Sequence, residues 1–224
     1  MRRKIELVNN CVYHIYNRSI AKFKIFNNDY DYIRMLAMIK YYRLDNLLLR
    51  FSKFIKLDNV QNGFNQALNN LSSTREAIID ILAYCIMPTH IHLILVQKKD
   101  NGISKFMSDL QNSYSRYFNT KYRRKGPLWE GKFQNVLVDK DEQLLHLTRY
   151  IHLNPSSAGL IDEPELWKAS SYNEYLQKVN SDERICNYQD LLEIQPASYK
   201  KFVDDRKAYQ RELSIIKNVI LEED

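Results

Sequence analysis

His90-Ile91-His92 and Tyr150-Ile151-His152-Leu153-Asn154 are the two stretches of this chain whose residue types and spacing could do chemistry. On a β-strand successive side chains alternate between faces, so His90 and His92 point one way while Ile91, Leu93 and Leu95 point the other. Two imidazoles on one face can share a metal ion; they can also be two histidines on an exposed sheet. On a helix, residues four apart stack on one face, so Tyr150 and Asn154 can reach a common point. Read alone, that pair is also a half-buried tyrosine and an asparagine at a helix end. Taken together, the four side chains offer two ring nitrogens and an amide carbonyl to a divalent metal with open positions for phosphate oxygens. A phenolic hydroxyl stands alongside as a nucleophile. A phenol ionises near pH 10, roughly, so the metal or a neighbouring base has to activate it.

These side chains need elements to hold them. Residues 11 to 17 read as a strand, and 28 to 42 as a helix with Tyr32, Leu36 and Ile39 at helical spacing. Leu47, Leu48, Phe51, Phe54 and Ile55 make a short helical face, residues 59 to 65 look like loop, and the region from about 45 to 75 reads as an insertion. The apolar run 78 to 87 is a buried strand that turns at Pro88 into a second strand, 90 to 97, giving a hairpin. A helix over 103 to 122, a basic loop, a strand over 133 to 138 and a helix over 140 to about 153 follow. Pro155 is expected to push Asn154 out of helical geometry. This order is the split β-α-β arrangement of a ferredoxin-like α+β sandwich with an added helix that carries Tyr150. In such a sheet the third strand is central, and the closing helix can lie across its open face. Residues 1 to 176 read as one domain, and 177 to 224 as a helical extension with an amphipathic helix over 198 to 220.

The whole chain of 224 residues carries 33 Lys and Arg against 27 Asp and Glu, a net charge of +6. An excess of cations favours a polyanionic partner, because neutralised phosphates release counterions. Sixteen tyrosines and nine phenylalanines add rings on which unpaired bases can stack, although most such rings fill cores. No apolar run approaches the roughly 20 residues of a membrane span. Cys11, Cys85 and Cys186 have no redox or metal spacing, so a reducing cytoplasm is the expected location. Lys121, Arg123, Arg124 and Lys125 form a run suited to gripping phosphates; the same run also suits a solvated helix end. Asn17 and Arg18, at the end of the first strand, are further candidates of the same kind.

The segments from Tyr84 to Leu95 (YCIMPTHIHLIL) and from Arg149 to Leu160 (RYIHLNPSSAGL) resemble the single-tyrosine HUH transposases. With Leu128-Trp129-Glu130-Gly131-Lys132-Phe133 between them, the likeness is to the REP-associated tyrosine transposase branch, over about residues 11 to 176. The resemblance implies that His90 and His92 are metal ligands, that Asn154 takes the third ligand position and that Tyr150 is the nucleophile. Many members of the insertion-sequence branch carry glutamine at that third position; asparagine supplies an equivalent carbonyl oxygen. The implied activity is cleavage and rejoining of single-stranded or hairpin DNA with Mg²⁺ or Mn²⁺, through a 5′-phosphotyrosine link and a free 3′-hydroxyl. The implied assembly is a monomer or a homodimer. Lys121, Arg123, Arg124, Lys125 and Trp129, beside or within the middle motif, become expected DNA contacts, together with Asn17 and Arg18.

Other residues compete for these roles. His152 is close to Tyr150 in sequence but faces away on a helix, and His146, one turn earlier, fits a supporting or structural place. Tyr114, Tyr117 and Tyr122 are rival nucleophiles that match no part of the family motif. A protein that grips DNA hairpins without cutting them is the rival function. A ferredoxin-like RNA-binding protein lacks support, since neither central strand carries the aromatic pattern such proteins use.

Overall fold

The computed structural model describes residues 6–207. Four strands form one antiparallel sheet: β1 (Val12–Arg18), β2 (Ile79–Met87), β3 (His90–Gln97) and β4 (Gln134–Val138), in the spatial order β2-β3-β1-β4. Helix α1 (Asp29–Tyr42) and the short helices α2 (Phe51–Phe54), α3 (Asp58–Asn62) and α4 (Phe64–Ser72) lie between β1 and β2 in the chain. Helix α5 (Gly102–Lys121) joins β3 to β4, and α6 (Asp141–Ser157) follows β4. This is the expected ferredoxin-like sandwich, with β3 in the middle and an added helix after the last strand.

The alternation of β1 shows how the sheet is used. Tyr13, Ile15 and Asn17 are buried, while Val12, His14 and Tyr16 are half-buried and Arg18 is exposed. Their partners across the ladder are Leu95, Leu93 and Ile91 on the first face, and Val96, Ile94, His92 and His90 on the second. The first face meets α1 and α5, whose Met35, Met38, Ile39, Phe106, Leu110 and Tyr114 fill the core. The second face is shared between α6, packed on β2, and open space beside β1. Met87 pairs with His90 across a two-residue Pro88-Thr89 turn, which sets both histidines on that second face.

Two expectations need correction. Asn59, Asn62 and Asn65 lie within α3 and α4, with the break at Gly63, where loop was expected. Burial of Val60, Ala67 and Leu68, and the edge of Phe64 set against Phe51 and Phe54, outweigh the poor helix propensity of asparagine. Pro155 does not end the closing helix: α6 runs on to Ser157 with Asn154 inside it. Proline removes one amide hydrogen, but its φ is helical, and the Ala158 N–H still donates to the Asn154 carbonyl at 2.9 Å. Residues 169–171 pair along the free edge of β2, with Ile86 N–H donating to the Ala169 carbonyl at 2.9 Å and Ser171 N–H to that of Tyr84 at 3.0 Å. That pairing covers an edge that would otherwise present open ladder groups. Residues 196–207 are helical, matching the start of the helix expected over 198 to 220; positions 208 to 220 fall outside the described residues. Tyr199 and Val203 of this helix are core residues. Among the described residues no helix is long and apolar enough to cross a membrane.

Candidate active site

β3 brings His90 and His92 to the open sheet face, their ring centroids 5.1 Å apart and their planes at 88°. His90 is half-buried and His92 is 9% exposed. Loss of water disfavours the charged imidazolium: burial, aided by nearby Arg18, lowers His90 to about 4, and burial together with His90 and His14 holds His92 well below its ordinary value. Both rings are therefore neutral at pH 7, the form that binds a metal. Each has its Nδ1 engaged. Thr89 Oγ1 lies 2.9 Å from Nδ1 of His90, and Nε2 of His14 lies 3.0 Å from Nδ1 of His92. Among the described residues neither Nε2 has a hydrogen-bond partner, which leaves one uncommitted ring nitrogen on each histidine.

Helix α6 brings Tyr150 to the same place. Its ring stands edge-on to His92 with centroids 6.1 Å apart, and its side chain is 44% exposed, unlike the buried stripe of Leu144, Thr148, Ile151 and Pro155 beside it. Burial and then the nearby Tyr16 push its hydroxyl above the ordinary phenol value, so it is neutral at pH 7. Asn154, one turn further along, is half-buried, and its Nδ2 is a buried atom with no hydrogen-bond partner. The two ends of an amide exchange places on a half-turn, so the same pocket can receive Oδ1. No trio of His, Cys, Asp or Glu among the described residues is placed to hold a metal. Two neutral imidazoles and an amide oxygen nonetheless make a donor set that suits a divalent ion.

β1 adds two residues that motif reasoning missed. The His14 ring lies edge to edge with that of His92 at 5.2 Å between centroids, and Tyr16 lies 5.1 Å from His14 and 6.0 Å from His92. The period-two alternation of β1 was the available signal, since it puts His14, Tyr16 and Arg18 on one face; the register that sets them beside His92 was not legible.

The expected DNA contacts divide into two groups. Arg18 and Glu130 form a two-pronged ion pair at the rim of a cavity of about 460 Å³ that Tyr16, Lys132 and Gln134 also line. Arg123 and Lys125 are exposed. The others hold structure. Asn17 is 5% exposed and bonds the Gly131 carbonyl at 3.0 Å. Lys121 is 2.6 Å from Asp31, a fully buried carboxylate that also receives the hydroxyls of Tyr117 at 2.8 Å and Tyr122 at 2.6 Å. Burial would raise Asp31, but these donors outweigh it and hold the carboxyl below its ordinary value. Arg124 clasps its own loop through the carbonyls of Gly126 and Pro127. Trp129 is 9% exposed, set against Tyr114 with its indole N–H on the Gln111 carbonyl, so its ring belongs to the core and not to a stacking surface.

The same geometry sorts the rivals. Tyr114 is fully buried, and the hydroxyls of Tyr117 and Tyr122 bond Asp31. His152 does face away, buried between Tyr199 and Ser171 at 2.7 Å each. His146 pairs with Arg149 at 2.7 Å and packs near Phe202, away from His92.

Comparison with known proteins finds transposases. The family model described as "Transposase IS200 like" matches residues 51–154, a span that contains His90, His92, Tyr150 and Asn154 and leaves out β1. A Haemophilus influenzae protein named as a REP-associated tyrosine transposase is 29% identical over 105 residues, 42% of this chain. The match spans 59% of that relative's own length. A solved structure of a REP-associated tyrosine transposase bound to a REP hairpin superposes with a TM-score of 0.54 at 12% identity, covering 87% of this chain and 99% of that one. Residues 51–154 are thus similar to the IS200-like transposases, and the curated relative and the superposed structure are both REP-associated tyrosine transposases.

Proposed function

We propose that this chain cuts and rejoins single-stranded DNA beside a hairpin, with Tyr150 as the nucleophile and a divalent ion, Mg²⁺ or Mn²⁺, held by His90, His92 and Asn154. The observation that carries the reading is the placement of a part-exposed phenol against one of two neutral imidazoles with open Nε2 atoms. When bound, the ion supplies positive charge that polarises a scissile phosphate and eases ionisation of a nearby phenol. His90 and His92 would hold it through their free ring nitrogens, and Asn154 through its amide oxygen. The Tyr150 oxygen gives up its proton and attacks phosphorus, the bond to the 3′ oxygen breaks, and that oxygen takes up a proton and leaves as a hydroxyl; the reverse attack restores the phosphodiester and the phenol without an outside energy source. Hairpin DNA as the substrate class follows the solved neighbour with a REP hairpin, and the net charge of +6 agrees with a polyanionic partner. Arg123 and Lys125 on the exposed loop, and Arg18 at the rim of the cavity, are the cations placed to meet phosphates.

The test is a labelled single-stranded hairpin incubated with the protein and Mn²⁺, resolved on a denaturing gel. A covalent adduct lost in Tyr150→Phe and kept in Tyr16→Phe supports the assignment. The opposite pattern moves the nucleophile to Tyr16, which shares the site. Tight binding with no adduct on any hairpin favours a DNA-hairpin-binding protein that does not cleave.

A further inference from the structure

His14 lies outside the family match and outside the motifs, yet it is a hydrogen-bond partner of His92. The two rings come from strands that are neighbours in the sheet, 78 positions apart in the chain, and Nε2 of one faces Nδ1 of the other at 3.0 Å. Across a hydrogen bond only one of two facing nitrogens carries the hydrogen, so the pair has two polarities. If His14 donates, the hydrogen of a neutral His92 must sit on Nε2, and its lone pair points away from the site. If His92 donates, its Nδ1 carries the hydrogen and its Nε2 lone pair is ready on the open face. A metal-bound histidine nearly always donates its second ring nitrogen to such an acceptor, most often a carboxylate or a carbonyl. Here an imidazole stands in that place, and Thr89 Oγ1 stands in the matching place beside His90.

We infer that His14 is a positioning residue which accepts a hydrogen bond from Nδ1 of His92 and so fixes the tautomer and ring orientation that present Nε2 to a divalent ion. The rings lie edge to edge and nearly coplanar, with centroids 5.2 Å apart and planes at 20°, the geometry of an in-plane hydrogen bond. The inference rests on the metal reading proposed above.

Two measurements on the full chain test it. A long-range proton–nitrogen spectrum of the metal-free protein reads the tautomer of His92 directly, and the expected result is a hydrogen on Nδ1. Titration with Mn²⁺ alone reads affinity without DNA or turnover. His14→Phe keeps a flat ring but removes the acceptor, and Mn²⁺ affinity is expected to fall about 10- to 100-fold. His14→Gln places an amide oxygen near the former Nε2 and is expected to restore most of it, a rescue that loss of packing would not show. His92 protonated on Nε2 in the wild-type spectrum, or Mn²⁺ binding unchanged in His14→Phe, overturns the inference and leaves the metal reading standing. Wild-type protein whose Mn²⁺ binding is absent, or indifferent to His92→Ala, overturns the metal reading itself. The wild-type spectrum decides the polarity even if His14→Phe fails to fold.

Discussion

His92 and His152 make an instructive pair. Both are buried, both are kept neutral by loss of water, and each bonds another aromatic side chain from a distant part of the sequence. They differ in how many ring nitrogens are committed. His152 uses both, with Tyr199 on Nδ1 and Ser171 on Nε2, and through them ties α6 to the 196–207 helix and to the covered edge of β2. His92 uses one and leaves the other on an open face next to Tyr150. A satisfied buried histidine holds a fold together; one with a spare nitrogen facing space is equipped for a ligand. The two faces of α6 repeat this division, with Tyr150 and Asn154 toward the sheet face and Thr148, Arg149 and His152 clamped by the 196–207 helix through Tyr199 and Phe202.

Substitution can break the contrast from either side. The largest effect is expected from His92→Ala, which should lower the rate of adduct formation about a thousandfold, the equivalent of several kcal/mol of lost transition-state stabilisation, while the thermal midpoint moves little. A large drop in midpoint with activity per folded molecule intact would place His92 with His152 as a structural residue. His152→Ala should do the reverse. It removes two buried hydrogen bonds and leaves a gap among Tyr172, Tyr175 and Tyr199, for a loss of about 3 kcal/mol in urea unfolding.

The pH dependence of stability sharpens the same comparison. Burial lowers His152 to about 3, against about 6.5 in an unfolded chain. Between those values the unfolded state binds the extra proton, so this contribution is complete above roughly pH 6.5 and is lost as pH falls toward 3, by up to about 1.4 kcal/mol per pH unit. Urea unfolding of His152→Gln between pH 6.5 and 4.5 should show a shallower slope than the wild type, and identical slopes would deny His152 its share. The smallest change is expected from Tyr199→Phe, which removes one hydroxyl from His152 and Thr148 for about 1 kcal/mol and leaves adduct formation unaltered. A fall in adduct formation there would mean that the clamp on the back of α6 reaches Tyr150.

Sequence by itself determined what short-range geometry dictates. A period of two places His90 and His92 on one face, and a spacing of four places Tyr150 and Asn154 on one side of a helix, whatever surrounds them. The strand and helix order, and with it the ferredoxin-like sandwich, followed from the same periodicities. Tertiary structure alone decided which distant residues meet. His14 reaches His92 because the β1–β3 register pairs Ile94 with His14 and His92 with Tyr16, and nothing local to either strand sets that register. Lys121 is drawn to a buried Asp31, and Trp129 into the core, because burying a charge or a ring depends on what lies opposite it. The helix carries on through Pro155 and ends at Ser157, since packing of its buried face outweighs one missing backbone bond. The residues proposed for chemistry were therefore legible in one dimension, and the residues that hold them ready were not, because hydrogen-bond partners across a fold are chosen by register and packing and not by neighbours in the chain.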